Sequence, residues 1–274
     1  MPGEQATPSP PLLEIPVFNR ASVLPAIAAG CRRIELNATG SYPVGGTTPS
    51  LELVRDVSSD LDSLPFPVPL RVMIRPRGGD FVYTDEEQSL IQESIERIKP
   101  LLKQERGDGF VFGALRPAEG DGRRPVDWRL CGRVIGWCEP LPVVCHRAFD
   151  ETVETDGAVD VGMARLAQRV AGAGFGGLLT SGGPGNAGEN LAVVRRIVEE
   201  VRGTMEVIVG GGVRSGNVGE IYEVLNVVEG RRVVYHSSCL TGAGHSEEVD
   251  VDEVRRIVSV WQADTSTRDG GQGK

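Results

Sequence analysis

The chain has no stretch near the roughly twenty consecutive apolar residues that a membrane helix needs, so a helical membrane protein is excluded. Residues 1–11 are proline-rich and carry neither a basic cluster nor an apolar run, so they do not read as a signal peptide. Cysteine is sparse. Cys31, Cys131, Cys138, Cys145 and Cys239 are odd in number and scattered, with no CxxC pair, which argues against a disulfide framework or a structural zinc site. A reducing location is expected: the cytoplasm, with the nucleus as a second possibility. Positive charge is also short. Lys and Arg number 29 against 38 Asp and Glu, a net −9, so a general surface for nucleic acid or anionic membrane is not expected. A local cationic pocket remains compatible with that sum.

What is present suits a soluble globular chain: 274 residues, 40% hydrophobic and 24% charged, with 36 Gly and 18 Pro to serve many short connections. Apolar runs of strand length lie at 12–18, 31–37, 68–74, 109–113, 141–146, 176–180, 206–210 and 232–237. Helical patterns fill the gaps. The first covers 21–29 and ends at Gly30, and Thr48-Pro49 reads as the cap and first turn of the second. Thr84 with Glu87 forms a capping box ahead of Leu90, Ile91, Ile95 and Ile98. Leu130, Cys131, Val134 and Cys138 mark the next stripe, and Met163, Leu166, Ala167 and Val170 another. Leu191, Val194, Val198 and Val201 follow, then a helix capped by Asn217 with Glu220, and last Val251, Val254, Val258 and Trp261. Eight strand–helix units in about 250 residues predict an α/β chain folded as a single-domain (β/α)8 TIM barrel over 12–263, an open doubly wound sheet being the competitor. Residues 1–11 and 264–274 lack periodicity and are expected to be disordered tails.

Barrels carry their chemistry at the C-terminal ends of the strands. Glu14 and Glu35 sit inside apolar strands, where an unpaired carboxylate is costly and so demands a partner. The third strand runs into Arg75, Arg77 and Asp80, and the fifth into His146, Arg147 and Asp150. The sixth leads to Thr180 and Ser181, the seventh to Gly211 and Gly212, and the eighth to His236, Ser237 and Ser238. Two readings follow. The ring is a buried ion-pair network, Glu14 and Glu35 against Arg75 and Arg77. Or it is a ligand site with Glu14, Glu35, His146 and Asp150 as candidate proton carriers. In the second, Arg75, Arg77, Asp80, Arg147, Thr180, Ser181, Gly211, Gly212, Ser237 and Ser238 would bind a small phosphate- or carboxylate-bearing ligand. Whether the barrel is an enzyme is left open, as is a homo-oligomer.

Six segments resemble the CutC family of copper homeostasis proteins: Arg-Ile-Glu-Leu (33–36), Gly-Gly-Thr-Thr-Pro-Ser-Leu (45–51), Met-Ile-Arg-Pro-Arg-Gly-Gly-Asp-Phe (73–81), Val-Phe-Gly-Ala-Leu (111–115), His-Arg-Ala-Phe-Asp (146–150) and Leu-Leu-Thr-Ser-Gly (178–182). The resemblance covers residues 12–238 in the family's order. It implies a TIM barrel, an intracellular protein, copper(I) binding and a part in copper tolerance, with no established catalytic reaction. Copper-binding members carry cysteine two residues beyond each of the two strand glutamates; this chain has Pro16 and Asn37 there. Copper(I) is soft and prefers thiolate, thioether or imidazole. The remaining metal-ligand candidates are His146, His236 and Cys239, the last six residues before His245.

Overall fold

The computed structural model describes residues 11–118, 120, 124–152, 159–242 and 246–269, with side chains described as far as residue 262. Eight parallel strands close into a barrel: β1 (Leu12–Val17), β2 (Arg33–Leu36), β3 (Leu70–Met73), β4 (Gly109–Phe112), β5 (Val143–Cys145), β6 (Gly177–Thr180), β7 (Glu206–Val209) and β8 (Val233–His236). Closure is made where β1 pairs with β8, with Glu14 opposite His236. Around it run α1 (Val23–Ala28), α2 (Leu51–Asp62), α3 (Asp85–Ile98), α4 (Trp128–Cys138), α5 (Val159–Gly172), α6 (Leu191–Val201), α7 (Val218–Asn226) and α8 (Val251–Asp269). This is the (β/α)8 barrel expected, and the open sheet is ruled out. Among the described residues no helix is long and apolar enough to cross a membrane.

The strand repeat of two residues explains the layering. Leu13, Ile15, Val17, Ile34, Leu36, Leu70 and Val72 point outward and pack under the helices. The alternate residues enter the lumen, where Met73, Val111, Val144, Leu179, Ile208 and Val234 form a separate apolar plug. Helix stripes complete the outer core. Leu130, Cys131, Val134 and Cys138 of α4 are all buried, each Leu or Val contributing roughly 1.5–3 kcal/mol.

Three local expectations need correction. Thr48 does not cap α2. Its hydroxyl accepts from the Arg75 N–H at 2.8 Å and its own N–H donates to the Arg75 carbonyl, tying the loop to the end of β3. Ser50 caps the helix instead. Asn217 stands at the start of α7 without capping it, because its side chain accepts from the Arg214 N–H and donates to the Gly212 carbonyl. The last helix continues to Asp269, past the expected boundary at 263. Of the tails expected at 1–11 and 264–274, residues 1–10 and 270–274 lie outside the described residues.

Candidate functional site

A cavity of about 670 Å³ opens at the C-terminal ends of the strands, above the apolar plug. Its wall includes Pro16, Glu35, Arg75, His146, Arg147, Arg214, His236, Ser238 and the glycines Gly211 and Gly212. Period two delivers Pro16, Glu35 and His236 here, since each is an inward position of its strand.

Beneath the wall lies a chain of buried charge. His236 Nδ1 contacts Glu14 Oε1 at 2.7 Å. The other Glu14 oxygen accepts from Arg33 Nε, and Arg33 Nη1 donates to Glu206 at 2.8 Å. Glu14 is only 1% exposed and Arg33 is buried with it. Burial works against the Glu14 charge, but Arg33 and His236 outweigh it and hold the carboxyl at about 2. His236 moves up: burial opposes its charge, while the hydrogen bond to Glu14 and the nearby Glu35 favour it. With the proton on the ring, Nδ1–H donates to Glu14. Glu35, 4% exposed, is also raised, because burial dominates and Glu14 adds repulsion. Its Oε1 accepts from Asn37 Nδ2 at 3.0 Å. One ligand atom from each of Glu14, Glu35 and His236 lies within 4.8 Å of the others, the one such group among the described residues.

His146 is different. Burial pushes its pKa down to about 3, helped by the charge of Arg75, so the ring is neutral. Gly113 makes space for it, since a Cβ there would stand 2.6 Å from Nδ1. Arg75 lies over the Phe81 ring at 4.6 Å and donates to the carbonyls of Val44, Gly46 and Gly79, while Tyr83 and Glu151 help to hold its charge against burial.

Other candidates fall outside the mouth. Arg77 ion-pairs with Glu87 and Asp80, and its side chain is 38% exposed. The strand ends at Met73, so alternation does not carry from Arg75 to Arg77. Asp80 also accepts from the Val82 N–H. Asp150 accepts from the Thr180 hydroxyl, from the Ser181 N–H at 3.0 Å and from Arg147 Nε at 2.8 Å, a buried knot that joins the ends of β5 and β6. Ser237 is buried and donates to the Val213 carbonyl. Glu14 and Glu35 do not pair with Arg75 or Arg77; Arg33, His236 and Asn37 are their partners.

The cysteines stay away from the cavity. Cys239, expected near the rim, is fully buried beside the Ser237 hydroxyl, with burial pushing its thiol up to about 11. Burial pushes Cys31, Cys131 and Cys138 up to about 12 and Cys145 well above its usual value. His245 lies outside the described residues. Two residues at the site escaped the sequence reading. Arg33 lies in the same apolar run, 31–37, that flagged Glu35, but the cationic partner demanded by Glu14 was expected beyond the strand ends. Arg214 follows the Gly-Gly-Gly turn, and its guanidinium donates to Ser237 at 3.2 Å and Ser238 at 2.9 Å.

The mouth offers copper(I) no thiolate: its soft or borderline ligands are the His146 and His236 imidazoles and the Met73 thioether, set among carboxylates and guanidinium groups, a poorer fit than the two cysteines of copper-binding members. Fold and site together define a (β/α)8 barrel with a plugged floor and a charged, ligand-sized mouth. The model of the CutC family matches residues 11–237, and the chain belongs to that family. A copper homeostasis protein cutC homolog of Homo sapiens is 36% identical over 212 residues, covering 77% of this chain and 69% of the relative. A family protein CutC of Xylella fastidiosa is 33% identical over 257 residues, covering 90% and 87%. The crystal structure of CutC from Streptococcus agalactiae superposes with a TM-score of 0.68 at 27% identity, over 82% of this chain and 98% of that one. Phosphoribosyl anthranilate isomerase of Thermotoga maritima, at 14% identity and TM-score 0.52 over 92% and 98%, shares the fold alone.

Proposed function

We propose that this chain acts in copper homeostasis, and that its barrel mouth does so by binding a small anionic ligand rather than by caging copper(I). The supporting observation is that Arg75 and Arg214 line the cavity with neutral partners only, carbonyls for one and a carbonyl and hydroxyls for the other. Neither has a carboxylate partner among the described residues. Glu35 and Glu151 share the wall and Glu151 acts on Arg75 at a distance, but neither carboxylate ion-pairs with these guanidinium groups, which leaves their donors open to a small anion. Gly211 and Gly212, both at positive φ, bring backbone into the same wall. Family membership supports the copper role, and five free, buried thiols suit a reducing cytoplasmic or nuclear setting.

Calorimetry with inorganic phosphate tests the reading. The native protein is expected to bind, and Arg214→Ala to bind at least about tenfold more weakly, the loss of one charge-assisted contact of roughly 1.5–3 kcal/mol. Equal affinity for both proteins, or no binding by the native one, would overturn it. So would tight stoichiometric copper(I) retained by the native chain against bicinchoninate.

A further inference from the structure

We propose that the barrel mouth is a proton-transfer site for a small anionic carbonyl compound. Glu35 takes the proton from the carbon beside the carbonyl, and His146 and Arg75 donate hydrogen bonds to the oxygen where charge gathers. This deepens the anion-binding reading and rests on it.

The first support is a pair of unsatisfied donors. His146 Nδ1 accepts from the Ala148 N–H at 3.2 Å, so the neutral ring carries its proton on Nε2. That Nε2 is buried with no partner, and so is Arg75 Nε. A buried donor left unpaired costs roughly 1–3 kcal/mol, a penalty that a ligand oxygen would remove. Both residues line the cavity, and both rings or planes meet Phe81: Arg75 at 4.6 Å and His146 at 4.7 Å between centroids. Since His146 stays neutral down to about 3, it offers an N–H of unchanging charge across the physiological range. Both nitrogens are closed to solvent in the free protein, so a ligand oxygen reaches them only after a small shift of the two side chains; two such donors on a developing oxyanion would then stabilise an enolate.

The second support is the base. Glu35 lines the same cavity, on the strand next to Pro16, and only its Oε1 is engaged, by Asn37. Its other oxygen takes no hydrogen bond among the described residues. Asn37 connects the two halves of the site: a Cβ on Gly46 would collide with Asn37 Oδ1, and the Gly46 carbonyl accepts from Arg75 Nη1 at 3.2 Å. His236, oriented by Glu14, stands beside Glu35 as a positioning residue whose charge steadies the carboxylate. Burial makes Glu35 a stronger base than a surface glutamate.

The step balances without a redox partner. The C–H bond breaks and an O–H bond forms on Glu35. The C–H electron pair becomes the new C=C bond, and the carbonyl π pair moves to oxygen, giving an enolate. Return of the proton to the same carbon, after Glu35 exchanges it with water, exchanges hydrogen with solvent; where that carbon bears a hydroxyl, delivery to the former carbonyl carbon isomerises the compound, the hydroxyl oxygen becoming the new carbonyl and its proton passing to the oxyanion. The anionic group, phosphate or carboxylate, rests on Arg214 and the glycine turn.

Proton NMR in deuterium oxide tests this with two probes, dihydroxyacetone phosphate for a phosphate ligand and pyruvate for a carboxylate. The native protein is expected to catalyse C–H to C–D exchange in one of them. Glu35→Gln should slow that exchange by about a hundredfold or more while phosphate affinity by calorimetry stays within about threefold. His146→Gln should slow it by a similar factor. Should Glu35→Gln fail to fold, Glu35→Asp keeps the charge one methylene short and should exchange about tenfold or more slowly. The proposal is overturned if phosphate binds while neither probe exchanges above the protein-free rate, or if the glutamate variants exchange as fast as the native chain. Absence of phosphate binding would instead remove the anion reading and this one with it.

Discussion

A carboxylate inside an apolar strand is conspicuous in sequence, and Glu14 and Glu35 could be read as site residues for that reason. Their partners could not. Arg33 lies 19 residues further along the chain, and only the pairing of Glu14 with Arg33 across β1 and β2 brings them together. Arg77 misled because alternation was carried past the end of β3, where Pro76 redirects the chain. The residue scale also yields two predictions. Glu35 has a pKa raised in the fold, so folding there costs free energy whether the group stays charged or takes up a proton. That cost is absent below the unfolded value near 4.5 and grows as pH rises towards the folded one. Glu35→Gln should therefore melt higher than the native protein at pH 7, with the gain shrinking towards zero at pH 4, as followed by circular dichroism. The second concerns the thiolate positions. Pro16 lines the cavity and Asn37 is buried beside Glu35, so Pro16→Cys with Asn37→Cys would bring two sulfurs to the mouth near His236. Anaerobic titration of the double variant should give one copper(I) per chain where the native chain gives none that resists bicinchoninate.

Among the elements, those with strong periodicity were legible and those whose ends depend on a tertiary bond were not. All eight strands fall within the expected runs, the buried face of α4 matches the spacing residue for residue, and α5 buries the four expected positions together with Gly162 and Ala164. The Thr84–Glu87 capping box forms as read because both partners are local. Thr48 and Asn217 failed as caps because each is drawn into a bond with another segment, Arg75 and Gly212 respectively. Sequence patterning does not reveal that competition. Removing the Thr84 hydroxyl exposes one backbone donor at the start of α3. Thr84→Ala should lower stability by about 1 kcal/mol, a fall of roughly 2–4 °C in Tm for a chain of this size.

For the whole molecule, the lumen has a bottom. Met73, Val111, Val144, Leu179, Ile208 and Val234 fill it, and the Glu14–Arg33–Glu206 chain seals the charged positions beside them. The barrel is thus a vessel with one door. Whatever enters the mouth must leave by the same rim before a successor can arrive, so the protein cannot serve as a conduit that passes cargo from one partner to another across its axis. A donor and an acceptor would have to take turns at one face, and a molecule lodged there would stop both directions of traffic at once.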